Sequence, residues 1–301
     1  MRVVSLIASS TEIVYALGQG ASLVGRSHEC DHPAEVRALP ILTEAKVDAS
    51  ASSGSIDAQV KGLLKDAVSV YRVDGDKLRA LAPDVILTQT QCEVCAVSLK
   101  DVEAALGKEF GTAAKVVALE PNCLADVYAD VRKVAGSLAV PAEGEALVAR
   151  LQARMRAVAE KARPLPTTRV ACIEWLDPLM AAGNWIPELV TLAGGENLFG
   201  EAGKHSPWMD FDALRRADPD VVVAMPCGFD LARTARETRA LLKSPAWKAL
   251  RAVRERRVYA VDGNQFFNRP GPRLVESLEI LAAILHPHEF GKETLHGMER
   301  L

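Results

Sequence analysis

The chain lacks long hydrophobic runs. No stretch of its 301 residues approaches the roughly 20 apolar residues that a membrane span requires. Its first apolar run, residues 2–7, is too short for the hydrophobic core of a signal peptide, and Glu12 follows where a cleavage site needs small residues. We therefore expect no transmembrane segment, and a cytoplasmic location, or a periplasmic one if a leader has been removed.

Positive charge is not in excess, and cysteine is sparse. The chain has 36 Lys and Arg against 39 Asp and Glu, a formal net charge of −3, which offers no general basic surface for nucleic acid. Its six cysteines are unevenly spaced, which is not the pattern of a disulfide framework. Reduced thiols in a cytoplasmic protein are expected.

Sequence signatures of catalysis are also missing. Residues 194–200 are rich in glycine but lack the Lys-Ser/Thr ending of a phosphate loop and follow a predicted helix, so they are interpreted as a helix end and turn. The chain has no serine elbow motif, and no residue pair has a spacing that demands acid–base catalysis. The sequence favours a binding protein over an enzyme and leaves enzymatic activity open.

What the chain does have is an internal repeat. Residues 76–88 return as residues 212–224, with the same offset at every aligned position. Each copy predicts a short amphipathic helix, stopped by proline and followed by a β-branched run that is typical of a buried parallel strand. A second similar pair is formed by residues 115–122 and 257–264. Two similar α/β lobes are predicted, with a cleft between them.

The lobes are predicted at residues 1–138 and 166–290, each a Rossmann-like α/β fold with a parallel sheet. The connector, residues 139–165, contains a helical pattern over residues 141–162 that is dense in Ala, Glu, Arg and Leu, and prolines follow it. Residues 9–12 are predicted to cap the helix after the first strand. Residues 291–301 are expected to form a polar tail, and the late histidines are expected to be solvated: His286, His288 and His296.

Ligand crevices in open α/β folds lie beyond the carboxyl ends of the strands. The polar and aromatic residues expected at those ends are the candidate ligand contacts: Ser10, His28, Gln91, Glu174, Trp175, Asn184, Trp185, His205, Trp208, Phe266, Phe267 and Arg269.

Aromatic residues make up only 5% of the chain, yet three of its four tryptophans fall in these loops. Aromatic faces suit a broad planar ligand such as a tetrapyrrole. Trp185 and Trp208 are predicted to be exposed loop residues that bind, whereas Trp175 and Phe267 also fit a packing role. Trp247 is predicted to lie in the core.

A group of thiols and imidazoles is the sharpest chemical signal. His28 and Cys30 belong to one predicted loop, and Cys92 and Cys95 to another loop of the same lobe. Sulfur and imidazole are ligands for zinc, an iron–sulfur cluster or cobalt. Three interpretations stay open: a protein metal site, ligation of the cobalt of a bound ligand by His28 or a cysteine, and small side chains that only line a cleft. Cys123 and Cys172 are expected to pack in the interior.

With these lobes and the helical connector, the chain resembles the helical-backbone (class III) substrate-binding proteins of ABC importers for cobalamin, haem and iron-siderophore. Within that class it is most similar to the vitamin B12 (cobalamin)-binding branch, in particular its leaderless cytoplasmic members. The segments that carry the finer likeness are residues 26–33, 91–95, 173–179 and 263–272.

The resemblance implies non-catalytic binding of a cobalamin-like corrinoid in the cleft between the lobes. It also implies an ABC permease as a partner, because exported members present an acidic residue, usually Glu, on each lobe to permease arginines. The repeat places Asp76 and Asp212 at these positions, with the charge kept and the reach shorter. The alternative from another class is a metal or iron–sulfur protein that uses His28, Cys30, Cys92 and Cys95, with redox or enzymatic activity.

Overall fold

The structure is a computed structural model that describes residues 1–65, 70–90, 114–290 and 296–301. It divides into two compact units. Unit 1 comprises residues 1–121 and 125–150, and unit 2 comprises residues 122–124 and 151–301. Both units are α/β, as the sequence predicts.

Unit 1 is built on strands β1 (Val3–Ser5), β2 (Leu23–Arg26), β3 (Thr43–Ala45), β4 (Tyr71–Val73), β5 (Val85–Gln89) and β6 (Lys115–Leu119). The order β2-β1-β5-β6 forms one sheet in which all neighbours are parallel, and β3 pairs antiparallel with β4. The helices are α1 (Ala8–Ala16), α2 (Ser53–Lys65), α3 (Gly75–Leu81), α4 (Leu124–Ser137) and the start of α5 (Pro141–Ala162), with 3-10 turns at Gly20–Ser22 and Ala34–Ala38.

Unit 2 contains β7 (Thr168–Leu176), β8 (Leu179–Ala181), β9 (Gly195–Asn197), β10 (Val221–Ala224), β11 (Val258–Val261) and β12 (Met298–Arg300). Its helices are α6 (Ile186–Leu192), α7 (Phe211–Ala217), α8 (Leu231–Leu242), α9 (Pro245–Lys248), α10 (Arg251–Arg254), α11 (Leu274–Leu285) and α12 (Pro287–Phe290), with a π-helix at Gly263–Phe267. The parallel series β9-β7-β10-β11 repeats the order of the unit 1 sheet, and β8 and β12 add antiparallel neighbours to it.

The internal repeat is confirmed by matching helix–strand segments. Helices α3 and α7 begin at aspartates whose side chains accept a hydrogen bond from the backbone N–H three residues later, Asp74 from Lys77 and Asp210 from Ala213. This is the usual way of satisfying a free donor at a helix start. Both helices end before the proline that the sequence marks, and the strands that follow, β5 and β10, are completely buried.

A second aspartate in each copy ties the repeat to the first strand of its unit. The Asp84 carboxylate accepts a hydrogen bond from the backbone N–H of Arg2 at 2.6 Å, and the Asp220 carboxylate accepts one from Arg169 at 2.8 Å. In return, the backbone N–H of each aspartate donates to the carbonyl of the same arginine. This two-way hydrogen bonding, the aspartate clasp, fixes where β1 and β5, and β7 and β10, start to pair.

The long helix is confirmed over its full predicted span, residues 141–162, as α5. The boundary between the units falls inside it, after Arg150. Within unit 1, Glu145 accepts a hydrogen bond from Arg132 at 2.8 Å, and within unit 2, Arg154 donates to Glu279 at 2.8 Å. Each unit therefore packs against its own part of the helix.

The predicted helix cap at residues 9–12 is wrong. The cap residue of α1 is Ile7, whose side chain makes no capping hydrogen bond, and the hydroxyl residues lie inside the helix. Ser10 and Thr11 are buried and bond to Ser5 of β1 at 2.7 Å each. These hydroxyl groups hydrogen-bond to one another in the interior. A capping hydroxyl would instead accept a backbone N–H at the start of the helix.

The turn expected at residues 194–200 also contains a strand. Gly194, with φ +80°, ends α6, but Gly195 begins β9 and pairs with β7. A Cβ atom at Gly195 would lie 2.8 Å from a Val190 methyl and 2.9 Å from a Leu285 methyl. The absence of a side chain at Gly195 therefore allows α6 and α11 to pack closely against the sheet.

The end of the chain departs from the expected polar tail. Residues 298–300 form β12, which pairs antiparallel with β11. His286 is buried at the end of the apolar helix α11, and its Nε2 donates to the carbonyl oxygen of Ala193 at 3.1 Å. Burial lowers the pKa of His286. His288 and His296 are exposed, as predicted.

One buried carboxyl group in unit 1 has an unusual environment. Asp130 of α4 is 6% exposed, and its Oδ2 has no hydrogen-bond partner among the described residues. Burial raises the pKa of Asp130 to about 7, although Lys133 and a backbone hydrogen bond from Glu120 act in the opposite direction. The folded state therefore holds a proton here that an unfolded chain releases near pH 4.

We expect Asp130→Asn to stabilise the protein at alkaline pH. Because the folded pKa is raised, the stability contributed by this group is complete below about pH 4 and is lost as the pH rises through 7. The advantage of the variant in free energy of unfolding should grow over this window to about 1–3 kcal/mol at pH 8. Thermal melting followed by circular dichroism at pH 5 and pH 8 measures it. Glu143→Gln, which removes an exposed carboxylate, is the control; an equal response of both variants contradicts the prediction.

Candidate functional site

In unit 1, a buried arginine holds the loop that follows β2. Arg26 is 8% exposed, and its guanidinium donates to the backbone carbonyls of Ser27, Cys30, Arg37 and Leu39 at 3.0–3.3 Å. Four carbonyls from one loop thus share a single cation. The loop that carries His28 is held in one arrangement by this contact.

His28 lies half-buried where this loop meets the antiparallel pair of β3 and β4. Its Nδ1 is 2.7 Å from the hydroxyl oxygen of Thr43, which also accepts the backbone N–H of His28 at 3.0 Å. The ring of Tyr71 lies 5.6 Å from the imidazole, and the Tyr71 hydroxyl donates to Glu29 at 3.3 Å. Thr43 therefore positions both the backbone and the ring of His28, and Tyr71 lies beside the ring.

Two other unit 1 candidates lie in the interior. Cys30 is fully buried, and its Sγ accepts a hydrogen bond from Thr11 at 3.0 Å. Ser10 is also fully buried, with its hydroxyl bonded to Ser5 and to the carbonyl of Ile7. The core network takes up the Ser10 hydroxyl, and its role as a ligand contact stays a prediction.

The metal hypothesis gains no support from the described residues. Gln91, Cys92 and Cys95 lie outside them, so their positions are not part of the description. Within the described ranges, no three His, Cys, Asp or Glu side chains come together as a metal-binding group. His28 and Cys30 bond to different partners, Thr43 and Thr11. The described cysteines Cys30, Cys123, Cys172 and Cys227 are thiols rather than disulfides, and burial raises the pKa of Cys172 to about 12.

In unit 2, the end of β7 is joined to the loop before α7. The Ser206 hydroxyl donates to the Glu174 carboxylate at 2.8 Å and accepts the backbone N–H of Gly183 at 3.0 Å. His205, next to it, is exposed, with its Nδ1 3.0 Å from the carbonyl oxygen of Ser206. Glu174, near the carboxyl end of β7, and His205 are thus brought to one loop junction, and their ligand roles stay predictions.

The neighbouring Asn184 has a strained backbone, with φ +52°. Its N–H donates to the carbonyl of Lys204 at 2.7 Å, while its side-chain Oδ1 is buried without a partner among the described residues. Asparagine tolerates this left-handed conformation better than most residues. The residue holds the turn, and its ligand role stays a prediction.

The tryptophans divide into exposed and buried ones. Trp208 is 57% exposed, and Trp175 is half-buried with its ring 5.3 Å from that of Phe229. Trp185 is only 5% exposed, and its Nε1 donates to the carbonyl of Phe267 at 2.9 Å. The expectation that Trp185 is exposed is wrong, because it packs under the π-helix, and its role as a ligand contact stays a prediction. Trp247 is confirmed as a core residue at 6% exposure.

The π-helix after β11 carries the remaining candidates. Phe267 is fully buried and Phe266 is half-buried, so only Phe266 offers part of its ring to a ligand. Arg269 is 5% exposed, and its guanidinium donates to Asn264 at 3.1 Å. Asn268 ties this helix to the end of β10 by donating to the carbonyl of Met225 at 2.9 Å. Arg269 and Phe267 therefore support the loop from inside.

A cation over an aromatic ring was not predictable from the sequence. The Arg233 guanidinium carbon lies 3.5 Å from the centre of the Phe229 ring, and Arg233 pairs with Glu237 at 3.0 Å. Thr43 and Ser206 were missed as well. Thr43 begins β3, Ser206 lies in the loop before α7, and Arg233 lies on α8. Single residues at such places have no spacing that marks them in advance.

Asp76 and Asp212 occupy equivalent places in the first turns of α3 and α7. Both side chains are well exposed, and each pairs with the arginine three residues later, Arg79 or Arg215. The structure thus places the two carboxylates at matching surface positions. Their docking role stays a prediction.

None of the helices in the described part of the chain has the length and apolarity that crossing a membrane requires. The cytoplasmic location stays a prediction.

Comparisons with known proteins agree on one family. The chain is 24% identical to the ABC transporter substrate-binding lipoprotein YvrC of Bacillus subtilis strain 168, covering 96% of this chain and 81% of that protein. It is 23% identical to a vitamin B12-binding protein of Vibrio parahaemolyticus, covering 92% and 86%. The crystal structure of a periplasmic heme-binding protein from Pseudomonas aeruginosa superposes with a TM-score of 0.72 at 22% identity, covering 96% and 93%. A sequence model of the periplasmic binding protein family matches residues 3–264, so the chain belongs to that family.

Proposed function

We propose that this periplasmic binding protein family member binds a tetrapyrrole-type ligand without catalysis, and that the ligand is a cobalamin-like corrinoid. The observation that carries the proposal is the likeness to vitamin B12-binding proteins, which extends over nearly the whole chain. The likeness to a heme-binding structure supports a tetrapyrrole more broadly. Both relatives hold a broad conjugated ring, which is the ligand shape that the aromatic loops favour.

The residues that would contact the ligand are those that the structure leaves accessible at strand ends. In unit 2 these include the exposed Trp208 and His205, the half-buried Trp175 and Phe266, and the Glu174 carboxylate. Among the described candidates of unit 1, His28 is accessible. Aromatic faces cover a planar ring, while the carboxylate and imidazole bond to the polar groups around a corrin.

Preorganisation supports this assignment. Glu174 is held by Ser206 and His28 by Thr43, so neither side chain needs to be ordered at the moment of binding. Fixing a rotamer-rich side chain on binding costs about 0.5–1.5 kcal/mol. Residues already fixed at a loop junction avoid most of that cost.

The proposal predicts a coloured protein. Purified from cells supplied with cobalamin, it should carry about one cobalt per chain and show corrin absorbance bands. Absorbance spectroscopy with elemental analysis measures both. Protein without bound ligand should take up cobalamin in a titration. A heme spectrum with iron and no affinity for cobalamin would replace the corrinoid by heme; the absence of affinity for either would end the proposal.

We expect Trp208→Ala and His28→Ala each to weaken cobalamin binding about 10-fold or more, since single well-placed contacts contribute about 1–3 kcal/mol. Titration calorimetry measures the affinity. Trp208→Phe should restore part of it because a ring remains. His288→Ala, which removes an exposed histidine elsewhere, should have no effect. Unchanged affinity in both alanine variants, with lowered melting temperatures, would assign the two side chains a structural role.

The proposal extends to an ABC permease as partner, through Asp76 and Asp212. Both carboxylates are exposed and sit on equivalent helices, which suits contact with two similar permease surfaces. The double variant Asp76→Lys and Asp212→Lys should lose the ability to stimulate ATP hydrolysis by a cobalamin importer in nanodiscs, while cobalamin affinity stays unchanged. Glu143→Lys with Glu160→Lys is the matched control. Equal stimulation by both double variants would exclude this docking.

A further inference from the structure

Positive charge is concentrated in one segment of unit 2. Residues 231–257 contain nine Lys and Arg against two Asp and Glu, a formal charge of +7 in a chain whose total is −3. The net charge of the whole chain therefore does not reveal this local excess of positive charge. This segment comprises α8, α9, α10 and the turn before β11.

On α8 the basic residues share the solvent face. Arg236, Arg239 and Lys243 are exposed, and their spacing of three and four residues places them on one side of the helix. Ala235 and Thr238, on the other side, are buried. The exposed face of α8 thus carries a stripe of cations, formed by Arg236, Arg239 and Lys243.

The stripe continues onto the edge of the sheet. Arg239 pairs with Glu299 of β12, and the next residue, Arg300, is exposed. The Arg300 guanidinium donates to the carbonyl oxygens of Arg256 at 2.5 Å and Glu255 at 3.4 Å. These contacts join α8, β12 and the turn after α10 into one basic surface, whose three carboxylates, Glu237, Glu255 and Glu299, are outnumbered by its cations. The cations of this basic surface are Arg236, Arg239, Lys243, Arg254, Arg256 and Arg300.

We propose that this basic surface binds the anionic headgroups of a phospholipid bilayer. Like charges held together repel one another, and a polyanion relieves that repulsion. Clusters of four to eight Lys and Arg on a helix are typical of contact with acidic lipids, at about 1 kcal/mol for each basic residue near the surface.

A membrane fits this surface better than nucleic acid does. The single aromatic residue of residues 231–257, Trp247, is buried, so no ring is available there to stack on a base. The basic side chains lie on the outer face of a helix and a sheet edge. The choice of a membrane also rests on the proposed function, because the permease of an importer lies in a bilayer.

The test compares vesicles of phosphatidylcholine with vesicles that contain about 30% phosphatidylglycerol. The protein should co-sediment with the anionic vesicles and not with the neutral ones, and binding should fall as salt rises from about 0.1 to 0.5 M. The double variant Arg236→Gln and Lys243→Gln leaves the Arg239–Glu299 pair intact and should bind about 30-fold more weakly. Arg156→Gln with Arg163→Gln removes the same charge from other exposed positions of unit 2 and should bind like the parent.

Three results overturn the proposal: equal binding to neutral vesicles, equal losses in the two double variants, and tighter binding to duplex DNA than to anionic vesicles at the same phosphate concentration. The last of these would assign the surface to nucleic acid. Cobalamin titration of the same variants separates this proposal from the proposed function. If the parent protein binds cobalamin but not anionic vesicles, only the membrane proposal fails. If the parent protein binds anionic vesicles but not cobalamin, only the ligand assignment fails.

Discussion

Parallel strand pairing, fixed by the aspartate clasp, is the constraint on which both units depend. A parallel strand has no hairpin to set its register, so the pairing must be specified by other contacts. Asp84 and Asp220 supply one at the start of the strands. Once the starts are aligned, the carboxyl ends of neighbouring strands emerge at the same edge of each sheet, and the loops that carry polar and aromatic side chains follow from there.

Those loops are held by buried polar anchors rather than by apolar packing alone. Arg26 gathers four carbonyls in unit 1, while Ser206 and Asn268 join separate loops in unit 2. Each anchor satisfies backbone groups that burial would otherwise leave unpaired. The accessible residues, such as His28 and Trp208, therefore lie on loops whose conformation is held by hydrogen bonds. Loops held by such hydrogen bonds suit the proposed binding of a ligand by its shape.

The repeat and the long helix were predictable because each depends on local pattern. A run of helix formers without Pro or Gly after Gly144, followed by prolines, specifies α5, and β-branched runs after proline specify β5 and β10. The side-chain environment was not predictable in the same way. Trp185 and Trp208 look alike in sequence, yet one donates a hydrogen bond under the π-helix and the other is exposed. Which side of a loop faces the core depends on distant residues such as Phe267, and no spacing encodes it.

The distribution of tryptophan has an optical consequence. All four tryptophans belong to unit 2, and unit 1 has none. Intrinsic tryptophan fluorescence is therefore a label-free reporter of unit 2, while tyrosine and far-ultraviolet signals include unit 1. Trp185 and Trp247 are buried and Trp208 is exposed, so their emission differs in wavelength and in access to soluble quenchers. Unfolding curves recorded at two excitation wavelengths can thus distinguish whether the two units lose structure together or in sequence.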